Sequence, residues 1–300
     1  MLICDTHADT LWRMAEPEET AGRPFDITRE YLTLPGHVYV QALALYVSTG
    51  GMLKRPTVVE QELAAFEQLK ALGWHQIRNV DEALPGCANV MLTIEGCEAF
   101  GGDPANAERF AEMGVRIAAL TWNNENGLCY PAASGSRQGL TALGRETVKR
   151  MRAHHMAVDV SHLNERGFFD LMDGSVPPMA SHSCAKKLCG HLRNLSDDQL
   201  KALFEAKGFV GVNFYPAFLS DDHRADVDRV IDHMAYMCDK GGEDCVGLGS
   251  DFDGIEEWPD GLRNAADVPK LLERMMKRGF GEKLTEKIAG LNFKNYMERI

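Results

Sequence analysis

Short runs rich in Val, Ile and Leu recur along this chain, at residues 2–7, 38–47, 90–96, 116–122, 157–162, 179–183, 209–215 and 246–252. Each is nearly continuous in apolar character, as strands of a parallel sheet covered on both faces are. Helical periodicity between the runs predicts helices over 57–72, 104–113, 144–154, 165–171, 196–207, 226–240 and 268–277. Ser196-Asp197-Asp198-Gln199 predicts an N-cap with a reciprocating Gln three residues on, and Gly241-Gly242 predicts a helix stop. Eight strands alternating with helices predict a (β/α)₈ TIM-type barrel, an α/β fold that typically takes about 250 residues. No repeat or Pro/Gly/Ser linker divides the chain, so residues 1–300 read as one domain. A doubly wound open sheet is the alternative. It would normally carry a Gly-rich phosphate loop after its first strand, where this chain has His7-Ala8-Asp9-Thr10.

Charge narrows the range of partners. Lys plus Arg number 32 against 44 Asp plus Glu, a formal charge of −12 with no basic stripe, which argues against nucleic acid. No apolar run approaches the roughly 18 residues that would suggest a membrane span. The start, Met1-Leu2-Ile3-Cys4-Asp5, lacks the basic and apolar regions of a secretory leader, so a cytoplasmic location is expected. Eight scattered cysteines without a CxxC pair read as free thiols in a reducing compartment.

The titratable residues fall in a pattern. His7 and Asp9 close the first run, Glu95 the third, His162 the fifth, His182 the sixth and Asp251 the eighth. In a parallel barrel all strand ends meet at one rim, where such enzymes build their active sites. Imidazole and carboxylate without thiolate suit zinc, manganese or iron(II). His7 and Asp9 of an extended His-x-Asp point to one side of the strand and can share an ion. Five ligands exceed the three of a single open catalytic site. Glu95 is therefore the expected bridge, with His7 and Asp9 on one ion and His162 and His182 on another, about 3.5–4 Å apart. Singly these signals are weak: a His-x-Asp pair is usually a structural contact, and Ser-His occurs twice. Gly96 beside Glu95 suits close backbone approach. His154 and His155 read as surface residues at a helix end. His37, His75, His223 and His233 read as solvated, and the cysteines, Cys97 included, as core or lining residues without catalytic roles.

Seven blocks together resemble the membrane (renal) dipeptidase family of the amidohydrolase superfamily. They are Asp5-Thr6-His7-Ala8-Asp9, Ile94-Glu95-Gly96, Asp159-Val160-Ser161-His162, Ser181-His182-Ser183, His191-Leu192-Arg193-Asn194, Val212-Asn213-Phe214-Tyr215 and Gly249-Ser250-Asp251-Phe252-Asp253-Gly254. The resemblance implies a binuclear zinc dipeptidase on a distorted barrel, with the same five metal ligands. It further implies that Arg193 pairs with the substrate's carboxylate, that Asp251 shuttles a proton and that Tyr215 lies near the scissile carbonyl. Dipeptide substrates, often with a D-residue at the C-terminal position, and a homodimer are also implied. The chain departs from the family at Leu120-Thr121-Trp122-Asn123, where better-studied members have Leu-Thr-His with a substrate-contacting His; Asn123 or Asn126 is expected to supply that hydrogen bond. Gly96-Cys97-Glu98 likewise replaces Gly-Gly-His. The secretory peptide and lipid-anchor tail of membrane-bound members are not seen, in line with the cytoplasmic expectation. Two rivals remain at this level: another metal-dependent amidohydrolase, such as an N-acyl amino acid deacetylase or a lactonase, and a non-catalytic barrel that binds metal or peptide.

Overall fold

The computed structural model describes residues 1–16, 23–54 and 57–300, and in it the apolar runs become parallel strands. They are β1 (Leu2–Asp5), β2 (Val38–Tyr46), β3 (His75–Gln76), β4 (Asn89–Glu95), β5 (Ile117–Ala119), β6 (Ala157–Asp159), β7 (Met179–Ala180), β8 (Phe209–Val212) and β9 (Val246–Leu248). Each pairs in parallel with its neighbours, and β2 pairs with β4 from Val40↔Asn89 to Tyr46↔Glu95, which closes the sheet into an eight-stranded barrel. The two-residue β3 is an extra strand against the start of β4. The chain thus folds as the α/β barrel its periodicity predicts.

Several strands stop short of the runs that announced them. Regular pairing ends at Asp5, Asp159, Ala180 and Leu248, yet the residues just beyond, Thr6–Ala8, Val160–His162, Ser181–Ser183 and Gly249–Ser250, remain buried. A buried loop and a buried strand read alike in sequence, because burial alone selects the apolar residues.

Helices form over Val58–Ala71, Asn106–Glu112, Ala142–Ala153, Glu165–Asp170, Asp197–Glu205, Val227–Met237 and Val268–Lys277, close to the predicted spans. The Ser196 hydroxyl accepts from the Gln199 N–H while the Gln199 side chain accepts from the Ser196 N–H, so the capping box is present. Gly241, with φ of 97°, ends the helical run that began at Val227. Short helices at Thr10–Ala15, Arg29–Leu32 and Pro216–Leu219 had no periodic signal, since one or two turns leave too few positions to establish a face.

Strand alternation splits the core in two. Cys4, Val40, Met91, Ile117, Ala157, Met179 and Phe209 form one cluster with Phe293, Tyr296 and Met297 of the helix Asn292–Met297. That helix plugs the end of the barrel where the strands begin. The intervening strand residues, among them Ile3, Leu43, Ile94, Val158 and Val210, pack outward in the larger cluster with the helices. Water is excluded below, so the free polar rim is the one at the strand ends. No helix among the described residues is long and apolar enough to cross a membrane. All eight cysteines are free thiols.

Candidate metal centre and substrate cavity

Glu95, the last residue of β4, stands at the centre of the rim. Its Oε2 lies 3.5 Å from His7 Nε2, while its Oε1 lies 2.6 Å from His162 Nε2 and 3.6 Å from His182 Nε2. One carboxylate thus presents a separate oxygen to each of two imidazole sets. His7 Nε2 also faces Asp9 Oδ2 at 3.6 Å and Asp251 Oδ1 at 3.8 Å. His7, Glu95 and His182 form one group whose ligand atoms lie within 4.8 Å of one another, and His7, Asp9 and Asp251 form a second.

Local backbone geometry produces this convergence. Gly96 has φ of 105°, and a Cβ there would lie 1.7 Å from the Val47 carbonyl oxygen, so only glycine lets β4 end against β2. His7 and Asp9 meet without the strand alternation expected of them: β1 ends at Asp5, Ala8 bridges to Phe252, and Asp9 begins the helix Thr10–Ala15. Asp251 and Asp253 both take positive φ, 65° and 64°, which Asp tolerates better than most residues. The turn they form is held beneath by Asp253, which accepts from Arg13 Nη1 and Thr10 Oγ1, each at 2.6 Å. A Cβ on Gly254 would strike Asp9 Oδ2, so the turn can press against that carboxylate only as glycine.

Second partners orient the imidazoles. Asn123 Oδ1 accepts from His162 Nδ1 at 2.9 Å, and Ser181 Oγ lies 2.7 Å from His182 Nδ1. With Nδ1 protonated in both rings, the Nε2 lone pairs face each other at 3.1 Å and face Glu95. Acceptors so arranged repel unless a cation lies among them, and His7 Nε2 and Asp9 Oδ1 are also buried without hydrogen-bond partners. The donor set and these orphaned atoms fit divalent metal ions.

Electrostatics favour the ligating form at two of the three imidazoles, His162 and His182, while His7, in the absence of an ion, pairs with the carboxylates. Burial is the largest single influence on both His7 and Glu95 and opposes their charges, but their partners together outweigh it: Glu95 with Asp9 raises His7 well above its usual value, and His7 with His162 holds Glu95 well below. Burial, with Arg193 adding, lowers His162 to about 4, and burial also holds His182 well down. Neutral imidazoles are the ligating form. Burial raises Asp9 to about 6 and Asp251 to about 7.

A cavity of about 380 Å³ opens beside these groups. One wall is aromatic: Trp12 and Trp122 each meet the Tyr46 ring edge-on, at centroid distances of 5.8 and 5.2 Å. Arg193 also lines the cavity, 4% exposed, with all three guanidinium nitrogens buried and unpartnered. Its guanidinium lies over the Phe218 ring at 5.5 Å, and burial lowers it to about 10. Asp251, Tyr215 and Asn123 also line the cavity.

The nine residues singled out in the sequence are therefore brought together. Asn126 is not: its amide oxygen accepts from the Leu128 and Cys129 N–H groups and its nitrogen donates to Leu120, so it shapes a loop. Trp12, Tyr46, Phe218 and Asn213 were missed. Tyr46 could have been found, as it ends β2 in register with Glu95.

His233, expected to be solvated, is fully buried. Its Nδ1 accepts from the Ala185 N–H at 3.1 Å and its Nε2 donates to the Leu219 carbonyl at 2.9 Å, so the neutral ring is required. Helical position alone did not show which face it occupies. Burial lowers its pKa to about 4 from 6.5, so the unfolded chain binds the extra proton first and stability falls as pH drops between those values. The expected loss is about 3 kcal/mol at full effect. Urea midpoints at pH 7 and 4.5 should separate by less in His233→Gln than in wild type; equal separations would exclude the linkage.

Comparison with known proteins places this chain among peptidases. The family model for membrane dipeptidase, peptidase family M19, matches residues 1–300. An uncharacterised protein from the pqqA 5′ region of Klebsiella pneumoniae is 36% identical over 218 residues, 69% of this chain and 80% of that protein. An uncharacterised dipeptidase of Schizosaccharomyces pombe is 38% identical over 207 residues, 67% of this chain but 51% of its own length. The dipeptidase tcpJ of Claviceps purpurea is 34% identical over 210 residues, 69% of this chain and 49% of tcpJ, so the match spans about half of each fungal relative. Among solved structures, a metallopeptidase of Rhodobacter sphaeroides bound to a phosphinate mimic of L-Ala-D-Ala superposes with a TM-score of 0.89 at 25% identity, covering 100% of this chain and 99% of that one. With the match running from its first residue to its last, this chain belongs to the membrane dipeptidase family, peptidase family M19, a family of metallo-dipeptidases.

Proposed function

We propose that this protein is a binuclear, zinc-dependent dipeptidase that hydrolyses small dipeptides, including those with a D-residue at the C-terminal position. The observation that carries the reading is the pairing, in one cavity, of convergent imidazole and carboxylate donors with the unpartnered guanidinium of Arg193. A buried cation without an anion is costly, and a planar carboxylate is the ligand its fork accepts bidentately. The Rhodobacter relative's phosphinate ligand, a mimic of L-Ala-D-Ala, supports the substrate class and its stereochemistry.

His7 and Asp9 would hold one ion, His162 and His182 the other, with Glu95 bridging. When bound, two such ions supply an acidified water and polarise the peptide carbonyl. The chain's own residues do the rest. Arg193 anchors the C-terminal carboxylate, which fixes where the peptide bond lies and excludes longer peptides at that end. Asn213 Nδ2 donates to Asp251 Oδ2 at 2.8 Å, leaving Oδ1 to take the proton of the attacking water and deliver it to the leaving amine. Tyr215, which lines the cavity, would contact the carbonyl. Asn123, whose oxygen is engaged with His162, offers its Nδ2 to the substrate, and the Trp12–Tyr46–Trp122 wall offers apolar surface to a side chain. A homodimer is the family expectation, to be checked by light scattering.

Metal content per chain, measured with rates on L,L- and L,D-dipeptides, their C-terminal amides and N-acyl amino acids, tests the proposal. Two zinc ions and rapid cleavage of free-acid dipeptides are expected. Preferential cleavage of N-acyl amino acids would favour the deacetylase reading, and no hydrolysis of any small amide would leave a binding barrel. Arg193→Ala should lower kcat/KM for dipeptides by at least about 2 kcal/mol, roughly 30-fold, mainly through KM. The amide substrates, already lacking the anion, should lose far less. Equal losses on both would detach Arg193 from the carboxylate.

A further inference from the structure

Beneath the rim lies a buried carboxylate that none of these steps uses. Asp159, the last residue of β6, is 4% exposed and accepts four hydrogen bonds. Oδ1 takes the Ser161 N–H at 2.9 Å, the Ser181 N–H at 3.0 Å and the Ser161 hydroxyl at 2.6 Å, while Oδ2 takes the Ser181 hydroxyl. Both serine protons are thereby committed. Ser161 Oγ then accepts from the His182 N–H at 3.1 Å, and Ser181 Oγ faces His182 Nδ1 at 2.7 Å with only a lone pair left to offer. Ser181 is held from the other side by Thr6, whose hydroxyl donates to the Ser181 carbonyl at 2.5 Å.

We infer that Asp159, acting through the Ser181 hydroxyl, is a positioning residue that fixes His182 as the Nδ1–H tautomer and so keeps its Nε2 lone pair turned toward the metal centre. The inference rests on the proposed role of His182 as a ligand. The hydrogen bonds run in one direction only. A carboxylate only accepts, so the serine proton must point to Asp159, so the imidazole must donate, so Nε2 must be bare. Metal-bound histidines commonly donate their second N–H directly to a carboxylate; here one hydroxyl intervenes.

The relay can be reversed by a single isosteric change. In Asp159→Asn the three donors at Oδ1 retain the amide oxygen there, which places the NH₂ at the former Oδ2 and makes it donate to Ser181. The Ser181 proton then turns to His182 Nδ1 and drives the imidazole proton onto Nε2, where metal should bind. Zinc affinity, read by competition with a chromophoric chelator on the full chain, should fall about 10–100-fold. Ser181→Ala alone removes the switch and leaves Nδ1 free to keep its proton, so it should cost only a few-fold. The double variant should regain affinity relative to Asp159→Asn, matching Ser181→Ala.

A merely structural Asp159 would give a double variant as weak as Asp159→Asn or weaker, and that result overturns the inference. So would wild-type affinity in Asp159→Asn. Should that variant not fold, ¹⁵N spectra of the imidazoles in metal-free wild type decide the matter, with His182 assigned by comparison with His182→Gln. An Nδ1–H signature supports the relay, and Nε2–H excludes it. Wild type that takes up no zinc at all would instead sink the proposed zinc dependence on which the inference rests.

Discussion

Asp251→Asn is expected to lower kcat by about 10²–10⁴-fold, the usual contribution of a positioned acid–base group, with KM and zinc content within a few-fold of wild type. The substitution isolates proton transfer from architecture. Asn has the same shape, is among the residues that tolerate φ of 65°, and its carbonyl can still accept from Asn213 Nδ2. What it lacks is the ability to hold a proton between attack and departure. The free oxygen, Oδ1, is the atom at issue: it lies 3.8 Å from His7 Nε2, on a residue that lines the cavity. Stopped-flow single turnovers with a dipeptide, alongside metal analysis, provide the measurement. Full kcat with both ions bound would remove Asp251 from the chemistry.

Glu95→Gln should be still more damaging. Neither amide atom could reproduce a charge shared between the two proposed cations, and the NH₂ group would point a donor at one imidazole set. Less than two zinc ions per chain is expected, with kcat/KM down about 10³-fold or more, since several kcal/mol of charge stabilisation is withdrawn. Stability gives an independent reading. An ion bound at 1,000 times its Kd stabilises the fold by about 4 kcal/mol, so chelation of wild type should lower Tm by roughly 5 °C or more. The same chelator should barely move Glu95→Gln. A variant that retains both ions and an undiminished chelation shift would show that Glu95 is not the bridge.

The surroundings of these residues were legible to different depths. Glu95 was the clearest, because a carboxylate in a buried run needs a partner for its charge, and the glycine after it signals a backbone pressed close to its neighbour. The Cβ clash at Gly96 shows that close approach in atomic form. His233 read as solvated and is a buried, doubly hydrogen-bonded core residue. A histidine on a helix carries no mark of which neighbours will cover it. Asn126 offered the same amide as Asn123, and only the loop's path assigned one to the backbone and the other to His162.

By itself the sequence determined the barrel, the end of it that bears chemistry, and the kinds of atom gathered there, because strand burial and strand polarity are local properties written in the order of residues. Tertiary structure alone decided the contacts across the rim. It split the two oxygens of Glu95 between His7 and the pair His162 and His182, left Arg193 without an anion, and laid Asp159 under Ser181. Those pairings join strands far apart in the chain, and their distances follow from how the sheet closes, which no periodicity records.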